Sequence, residues 1–247
     1  MSSCYTVGVE KLVACAGKLG LNLNPAQLEQ FAIYYTELID WNNRFNLTAI
    51  TGYEDVQIKH FCDSLTVALA FKQSDIRNNW KMIDSGAGAG FPGVPLKIVF
   101  PEIRLTLLEA TTKKAVFLQN LNDKLGLTGV EIITARAEEA GHLDQYREKF
   151  DVVLARAVSP LPTLAELCLP FCMVGGRFVA HKKGDISDEV ERAAKAIRVM
   201  GGVLREIKKI ELEELADARC LVVIDKVSPT PANFPRRPGM PKQRPIA

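Results

Sequence analysis

One short stretch of the sequence carries the residues whose types and spacing are most informative about chemistry. Asp84 follows an apolar run, three glycines stand at alternate positions after it (Gly86, Gly88 and Gly90), and Phe91 comes next. Glycine has no Cβ, so its backbone adopts positive φ and approaches a ligand closely. In a doubly wound sheet such a turn follows the first strand and forms the floor of a nucleotide-like site. The stretch therefore predicts a cofactor site.

Three interpretations of this turn compete. A dinucleotide site requires G-x-G-x-x-G, but the third position here is Phe91. A glycine-rich loop without any ligand is the second interpretation. The pattern Asp-x-Gly-x-Gly-x-Gly, in contrast, resembles motif I of S-adenosylmethionine (SAM) methyltransferases. That cofactor is a sulfonium cation without phosphate, so close backbone approach and a nearby acid suit it. The resemblance favours SAM over the other two.

The elements that must position this turn have the pattern of an α/β fold. Residues 104–108 form the predicted second strand, which ends at Glu109, 25 residues beyond Asp84. An acid at that place accepts hydrogen bonds from ribose hydroxyls. Residues 130–134 form the third strand, and the loop after it, 135–139, is expected to lie over the adenine.

The carboxy-terminal half of the chain predicts which variant of the sheet is present. Strands are expected at 151–157 and 177–181, and the methyl acceptor belongs at the exit of the first of these. After a charged helix over 185–199, strands at 203–210 and 220–225 have no long helix between them. Such a closing hairpin is typical of methyltransferases. We therefore predict a Rossmann-like doubly wound sheet of seven strands, the last one antiparallel.

Only helical patterns precede residue 80. Asn24 is the expected N-cap of a helix that begins at Pro25 and ends near residues 41–43. The predicted organisation is a helical cap (1–75, with helices over 5–20, from Pro25 and over 53–72), a SAM-binding domain (76–227), and a basic Pro-rich tail (228–247).

The tail has two open interpretations. It contains four basic residues and no acid, which suits contact with phosphate, and Pro-rich chain stays extended rather than helical. A loosely attached, disordered tail is the competing interpretation. The basic residues are Arg236, Arg237, Lys242 and Arg244.

Composition sets the outer limits. The 247 residues are 47% hydrophobic and carry a net charge of only +2, so any RNA surface must be a local basic patch. The six cysteines form no CxxC pair, so buried, reduced cytosolic thiols are expected rather than a metal site. No leader and no apolar run of 18 residues occurs, and we expect a soluble, cytoplasmic protein.

Longer motifs carry a more specific resemblance. The stretch DSGAGAGFPGVPL, the residues WNNRFNLT from Trp41, His60 with Asp63, and the segment from Phe234 are similar to the small-subunit (16S) rRNA guanine-N7 methyltransferase family, also called the glucose-inhibited division B family. Two places depart from it: Ser85 stands where Val or Leu is usual, and His181-Lys182-Lys183-Gly184 replaces Leu-Lys-Gly.

The resemblance implies transfer of a methyl group from SAM to N7 of a guanine in the 530 loop of 16S rRNA (position 527 in the usual rRNA numbering). The partner would be 16S rRNA or a precursor of the small ribosomal subunit, with no membrane and no metal. By motif and resemblance together, the expected cofactor-binding residues are Asp84, Gly86, Gly88, Gly90, Phe91, Glu109, Ala110, Thr111, Ala137, Glu138 and Arg156.

No catalytic residue is expected, because guanine N7 has a free lone pair and needs no general base; positioning supplies the rate. The chain has Ala155-Arg156-Ala157-Val158 where amine methyltransferases have Asn/Asp-Pro-Pro-aromatic, and it lacks the Pro-Cys of cytosine-C5 enzymes. A methyltransferase of small molecules or proteins and a non-catalytic RNA-binding module remain alternatives. The candidates near the acceptor are His60, Arg156 and Lys182, and those for RNA are Lys182, Lys183, Arg236 and Arg237.

Overall fold

The computed structural model describes residues 9–71, 79–156, 159–215 and 217–246. Its seven strands are β1 (Lys81–Ser85), β2 (Arg104–Glu109), β3 (Val130–Thr134), β4 (Phe150–Arg156), β5 (Cys172–Lys183), β6 (Gly202–Ile210) and β7 (Arg219–Lys226). They form one sheet in the order β3-β2-β1-β4-β5-β7-β6. The fifth strand is longer than predicted at both ends.

The sheet confirms the predicted fold class. Strands β1 to β5 pair in parallel, whereas β7 lies antiparallel between β5 and β6. The central strands β1 and β4 are almost completely buried, as expected for parallel strands that are covered on both faces. The glycine turn follows β1 directly. It therefore lies at the carboxyl edge of the sheet. The strand order reverses there, because the chain continues from β1 to β2 on one side and from β4 to β5 on the other.

The helices are α1 (Glu10–Lys18), α2 (Pro25–Phe45), α3 (Tyr53–Val56), α4 (Asp63–Leu65), α5 (Gly93–Val99), α6 (Thr112–Leu125), α7 (Ala137–Ala140), α8 (Leu161–Cys168), α9 (Ser187–Val199) and α10 (Met240–Gln243). A π-helix, Gln57–Cys62, joins α3 to α4, and 3₁₀ turns follow α4 and α8 at Thr66–Ala70 and Leu169–Phe171.

The start of α2 is the predicted one, but its end is not. Asn24 accepts from the Gln27 amide, and the Gln27 side chain accepts from the Asn24 amide, which is a complete capping box. The helix continues through Phe45 instead of ending near 41–43, and Asn46 terminates it with φ +50°. Asparagine tolerates this left-handed conformation. Asn46 therefore ends the helix, about one turn after the predicted end.

The cap helices and the sheet share one hydrophobic cluster. Phe31, Tyr34 and Phe61 from the helices are completely buried and belong to the same core as Phe91 and Leu107. The helices therefore fold directly onto the sheet face that carries the glycine turn. The predicted boundary between residues 75 and 76 lies outside the described residues, as do residues 5–8 of the first predicted helix.

The tail is neither detached nor wholly extended. Arg236 binds both carboxylate oxygens of Glu166, which is fully buried, at 2.6–3.1 Å. Arg147 donates to the carbonyls of Thr230 and Phe234 at 2.8 and 2.7 Å. The expectation of a tail without helix is wrong at Met240–Gln243, where α10 packs on α8. Side-chain anchors, which composition does not reveal, order this segment.

The cysteine expectation is partly wrong. Cys15 of α1 and Cys62 of the π-helix form a disulfide with their Cα atoms 6.1 Å apart, within the usual range for such a bond. Cys168, Cys172 and Cys220 are free and buried. Among the described residues no cluster of three or more His, Cys, Asp or Glu side chains has metal-binding geometry. In that same part of the chain, no helix has the length and apolarity to span a membrane.

The ion pair between Arg236 and Glu166 yields the first prediction. Arg236→Ala leaves a fully buried carboxylate without its partner, so the free energy of unfolding should fall by about 3 kcal/mol. The matched control is Arg237→Ala, the exposed neighbour, which should change it by less than about 0.5 kcal/mol. Urea denaturation measures both variants. Equal stability of the two variants would contradict a structural role for Arg236.

Candidate cofactor site and acceptor edge

The glycine turn is held from below by the backbone of β2. The amides of Gly86 and Ala87 donate to the Leu108 carbonyl at 2.8 and 3.0 Å. Gly86, Gly88 and Gly90 all have positive φ, which only glycine adopts without strain. A Cβ on Gly88 would meet nothing closer than the Gly86 carbonyl at 3.9 Å. The turn therefore presents bare backbone to open space at Gly88, as a cofactor floor requires.

The other side of the turn is closed by the cap. A Cβ on Gly90 would lie 2.6 Å from the Tyr34 hydroxyl, and that hydroxyl donates to the Ala89 carbonyl at 2.5 Å. The phenol is fully buried, and burial raises its pKa well above the ordinary value. Tyr34 thus acts as a neutral donor that fixes the turn against helix α2.

Asp84 lies beneath the turn rather than on its open side. It is fully buried, and its Oδ2 accepts from the Gly93 amide at 2.8 Å, at the start of α5. Its Oδ1 has no partner in the described part of the chain. Burial raises the pKa of Asp84 to about 7, against the opposing effects of the Gly93 hydrogen bond and the charge of Arg156. The carboxyl ties β1 to α5, and its contact with a cofactor stays a prediction.

Glu109 lies where the sequence places it, at the carboxyl end of β2. Its Oε2 accepts from the Gly88 amide at 2.9 Å and its Oε1 from the Thr111 amide at 2.8 Å. The carboxylate therefore joins the glycine turn to the start of α6. An ionised carboxylate has about four lone-pair sites, so it retains acceptor capacity for two hydroxyls.

Phe91 lies between the helical cap and the carboxyl end of β4, which is the predicted acceptor edge. Its ring stacks on Tyr34 at 5.2 Å and on His60 at 4.5 Å between centroids. The Arg156 guanidinium lies 5.6 Å from the centroid of the same ring, within the range of a cation–π contact. Phe91, from the first motif, thereby brings together the two candidate acceptor residues from distant parts of the sequence.

Arg156 binds the π-helix from the end of β4. Its guanidinium donates to the Lys59 carbonyl at 2.7 Å, to His60 Nδ1 at 3.1 Å and to Ser64 Oγ at 3.1 Å. Asp63, almost fully buried, lies 3.2 Å away as counter-ion. The sequence did not predict these contacts, because Arg156 and its partners in the π-helix region are more than 90 positions apart along the chain.

These contacts decide the state of His60. Arginine only donates, so Nδ1 is the acceptor, and Nε2 carries the proton and donates to Thr48 Oγ1 at 2.7 Å. Burial and the Arg156 charge lower the pKa of His60 to about 4. His60 is therefore a neutral side chain with both ring nitrogens engaged, in agreement with a hydrogen-bonded structural role.

The chain is similar to known proteins over most of its length. A profile of GidB, described as rRNA small subunit methyltransferase G, matches residues 27–217. The chain belongs to the GidB family. A relative from Dehalococcoides mccartyi named ribosomal RNA small subunit methyltransferase G is 54% identical over 96% of this chain and 100% of its own length. Relatives of that name from Roseiflexus castenholzii and Bacillus cytotoxicus are 48% and 42% identical, over 96% and 97% of this chain and 100% and 99% of their own.

Solved structures support the fold. A mutant of MtNAS in complex with S-adenosylmethionine superposes with a TM-score of 0.54 at 14% identity, covering 89% of this chain and 78% of that one. A SAM-dependent O-methyltransferase from Thermotoga maritima gives 0.52 at 19% identity, covering 77% and 71%. The resemblance read from the sequence motifs is confirmed, and the assignment of individual residues stays a prediction.

Four more of the predicted cofactor residues follow the carboxyl ends of β2 and β3. Ala110 and Thr111 are exposed beside Glu109. Ala137 and Glu138 are half-buried in α7, a short helix where the sequence suggested a loop, and Glu138 Oε1 accepts from the tail amide of Gly239 at 2.9 Å. The tail therefore borders the adenine side of the predicted site, a neighbour that sequence separation conceals.

The four predicted RNA-binding residues are not alike. Lys182 is mostly buried and pairs with Glu189 at 2.6 Å, and Arg236 is bound to Glu166. Lys183 is 63% exposed, although it pairs with Asp217, and Arg237 is exposed. In this structure the accessible cations of the set are Lys183 and Arg237, and RNA contact by all four stays a prediction.

Sequence reasoning missed three residues of the site, two near the end of β4 and one at the glycine turn. Arg219 Nε lies 3.3 Å from Asp63 Oδ1, so Asp63 bridges two arginines. His181 is buried, and its Nε2 contacts the backbone carbonyl of Asp63 and the hydroxyl of Thr66, both at 3.0 Å. Tyr34 supports the turn. The departure at His181 was the only sequence signal for this group; the other contacts arise from tertiary packing.

Gly88 yields the second prediction. Gly88→Ala should weaken SAM at least tenfold, because the methyl group would project into the open face of the turn. Gly126→Ala is the matched control: its φ of +62° is close to the +59° of Gly88, and its Cβ also meets nothing within 4 Å. Both variants should lose about 1–2 kcal/mol of stability. Titration calorimetry that finds equal SAM affinity in both would overturn the cofactor floor.

Asp84 yields a prediction for pH. Its pKa in the folded protein is raised to about 7 from 3.8, so the folded state holds the proton more tightly than the unfolded state. The resulting stabilisation is present below pH 4 and disappears as pH rises to about 7. Asp84→Asn, which keeps an acceptor for Gly93, should lack this loss. We expect the stability of the variant relative to wild type to rise by roughly a few kcal/mol between pH 4 and 8. Parallel profiles in urea denaturation would refute it.

Proposed function

We propose that this chain transfers the methyl group of SAM to N7 of a guanine in the 530 loop of 16S rRNA. Membership of the GidB family makes it a SAM-dependent rRNA methyltransferase. The identity of the acceptor atom is the further step. The observation that carries it is the state of His60: this candidate near the acceptor has both ring nitrogens in hydrogen bonds, so it has no free lone pair to take a proton from an acceptor. N7 requires no base, whereas an amine or hydroxyl acceptor must lose a proton.

The described residues fit SAM at the glycine turn. Gly88 offers bare backbone, and Glu109 retains lone pairs for the ribose hydroxyls after accepting from Gly88 and Thr111. Glu138 of α7 would face the adenine side. SAM supplies an electrophilic methyl group on a sulfonium; the protein aligns it with the acceptor. An anionic carboxylate and the absence of any Cβ at Gly88 both suit a cationic cofactor that carries no phosphate.

The acceptor enters at the exit of β4. Arg156 is fixed there by five contacts with the π-helix region, and it orders the edge beside Phe91. Its hydrogen bonds hold the cap against the sheet, so the acceptor edge keeps its shape before RNA arrives. Preorganised placement of two reactants accounts for a large part of a methyl-transfer barrier, and no proton transfer is needed in this reaction.

The partner we propose is the 16S rRNA within a precursor of the small ribosomal subunit, in the cytoplasm. Net charge is only +2, so contact with phosphates falls to local cations such as the exposed Lys183 and Arg237. Each phosphate contact with single-stranded RNA contributes about 0.7 to the slope of log affinity against log salt concentration. The loss of one such contact should therefore lower the slope by about that amount.

The decisive test maps methylation on rRNA. Small subunits from cells that lack the gene are incubated with the protein and SAM, and the 16S rRNA is analysed by mass spectrometry. We expect one added methyl group on one 530-loop guanine. Subunits rebuilt with 7-deazaguanosine at that position should remain unmodified, because the acceptor atom is gone. Methylation of the deaza substrate would disprove the N7 assignment, and methylation of protein or of another rRNA region would disprove the substrate.

A further inference from the structure

A small cavity lies at the carboxyl ends of β4 and β5. Its volume is about 230 Å³, and it is lined by Asp63, Arg156, His181, Lys182, Lys183 and Arg219. Pockets for drug-sized ligands measure about 300–1,000 Å³, so this one suits a ligand of the size of a single base. Arg156 belongs both to the cavity and to the site around Phe91, and the cavity therefore adjoins the predicted cofactor position.

His181 lines this cavity and has a buried ring nitrogen without a hydrogen-bond partner among the described residues. The residue is 95% buried, and its Nδ1 has no hydrogen-bond partner in the described part of the protein. Nε2 lies 3.0 Å from two oxygen atoms, the Asp63 carbonyl and Thr66 Oγ1. The carbonyl only accepts, and the Thr66 hydroxyl donates its own hydrogen to that carbonyl at 2.6 Å, so Nε2 carries the proton. Nδ1 is consequently a lone pair. A buried polar atom without a partner is costly, and a ligand that donates N–H would remove that cost.

Burial keeps His181 in this state. It lowers the pKa of His181 to about 4; the charges of Arg156 and Arg219 act in the same direction, and the charge of Asp63, with which both arginines pair, opposes them. Lys182 and Lys183 line the same cavity but pair with Glu189 and Asp217. His181 therefore stays neutral at physiological pH, and its Nδ1 offers only an acceptor.

The pairing of β4 with β5 indicates how a base in this cavity would be oriented. Arg156 and His181 are opposite each other on the parallel strands β4 and β5, about 4.8 Å apart between strands. Because β4 adjoins β1, His181 lies one strand farther from the glycine turn than Arg156 does. A guanine whose N7 faces the cofactor points its opposite edge, with the 2-amino group at the far corner, toward β5. Adenine has no N–H donor at that corner.

We propose that this cavity receives the target guanine and that His181 Nδ1 accepts a hydrogen bond from its 2-amino group. The inference rests on the proposed function and adds the basis of its base specificity. His181 is thus a specificity residue for the acceptor, distinct from the residues that hold the cofactor. Arg219, held by Asp63 and Asp217, forms the far wall of the pocket.

The test compares two bases that differ only in the 2-amino group. Small subunits are assembled with 16S rRNA ligated from synthetic pieces that carry guanosine or inosine at the target. We expect wild type to prefer guanosine at least tenfold in kcat/KM, as the loss of one hydrogen bond to a buried acceptor implies. His181→Leu should lower this preference to about twofold or less, and His181→Asn, which restores an acceptor at the δ position, should recover about fivefold or more.

The two variants form a matched pair, since both lose the Nε2 contact with Asp63 and only Asn keeps a δ acceptor. Unchanged SAM affinity in both would show that the cofactor site is intact. A wild-type preference that survives in His181→Leu overturns the proposal, as does the absence of a preference in wild type. If Asn behaves like Leu, the preference depends on Nε2, and the role of Nδ1 is wrong. Inactivity of wild type on guanosine instead refutes the proposed function itself.

Discussion

The buried ion pair between Arg156 and Asp63 is the interaction on which the architecture of the site depends. Arg156 lies at the end of β4 and Asp63 begins α4, so the pair joins the sheet to the helical cap. Charges so poorly exposed are stable only when their remaining donors and acceptors are satisfied. Here the backbone of the π-helix, Ser64 and Arg219 satisfy them. The position of the cap helices at Asp63 therefore depends on the position of Arg156 at the end of β4.

The π-helix has a physical reason in the same contacts. Such helices are rare and occur mostly at functional sites, because the wider turn leaves carbonyl oxygens available to other donors. The Lys59 and His60 carbonyls accept from Arg156, and His60 is rotated onto the Phe91 ring. In a regular α-helix over Gln57–Cys62 these carbonyl oxygens would accept from amides within the helix. The irregularity thus places a neutral ring and a cation at the acceptor edge.

The tail extends the same principle to the other side of the cofactor turn. Arg147, Glu148 and Glu166 of the domain bind tail backbone or tail arginine, and Glu138 accepts from Gly239. Charge-assisted hydrogen bonds to backbone groups are stronger than neutral ones. Together with Phe234 and Ile246, which pack against the core, they order a segment rich in proline. The predicted adenine side of the site is consequently bordered by two parts of the chain a hundred residues apart.

The sheet, its closing hairpin, the glycine turn and the position of Glu109 could be predicted from the sequence, because they depend on local patterns: apolar runs, glycines at alternate positions and an acid at a strand end. The sequence also determined the family, through motifs that stay contiguous. The tertiary structure alone decided that Asp84 lies beneath the turn, that His60 is neutral, that Arg236 is bound to Glu166, and that Asp63 bridges Arg156 and Arg219. Each of these is a contact between residues more than about sixty positions apart or a consequence of burial. Local periodicity contains no information about either, since desolvation and pairing exist only once the chain has folded.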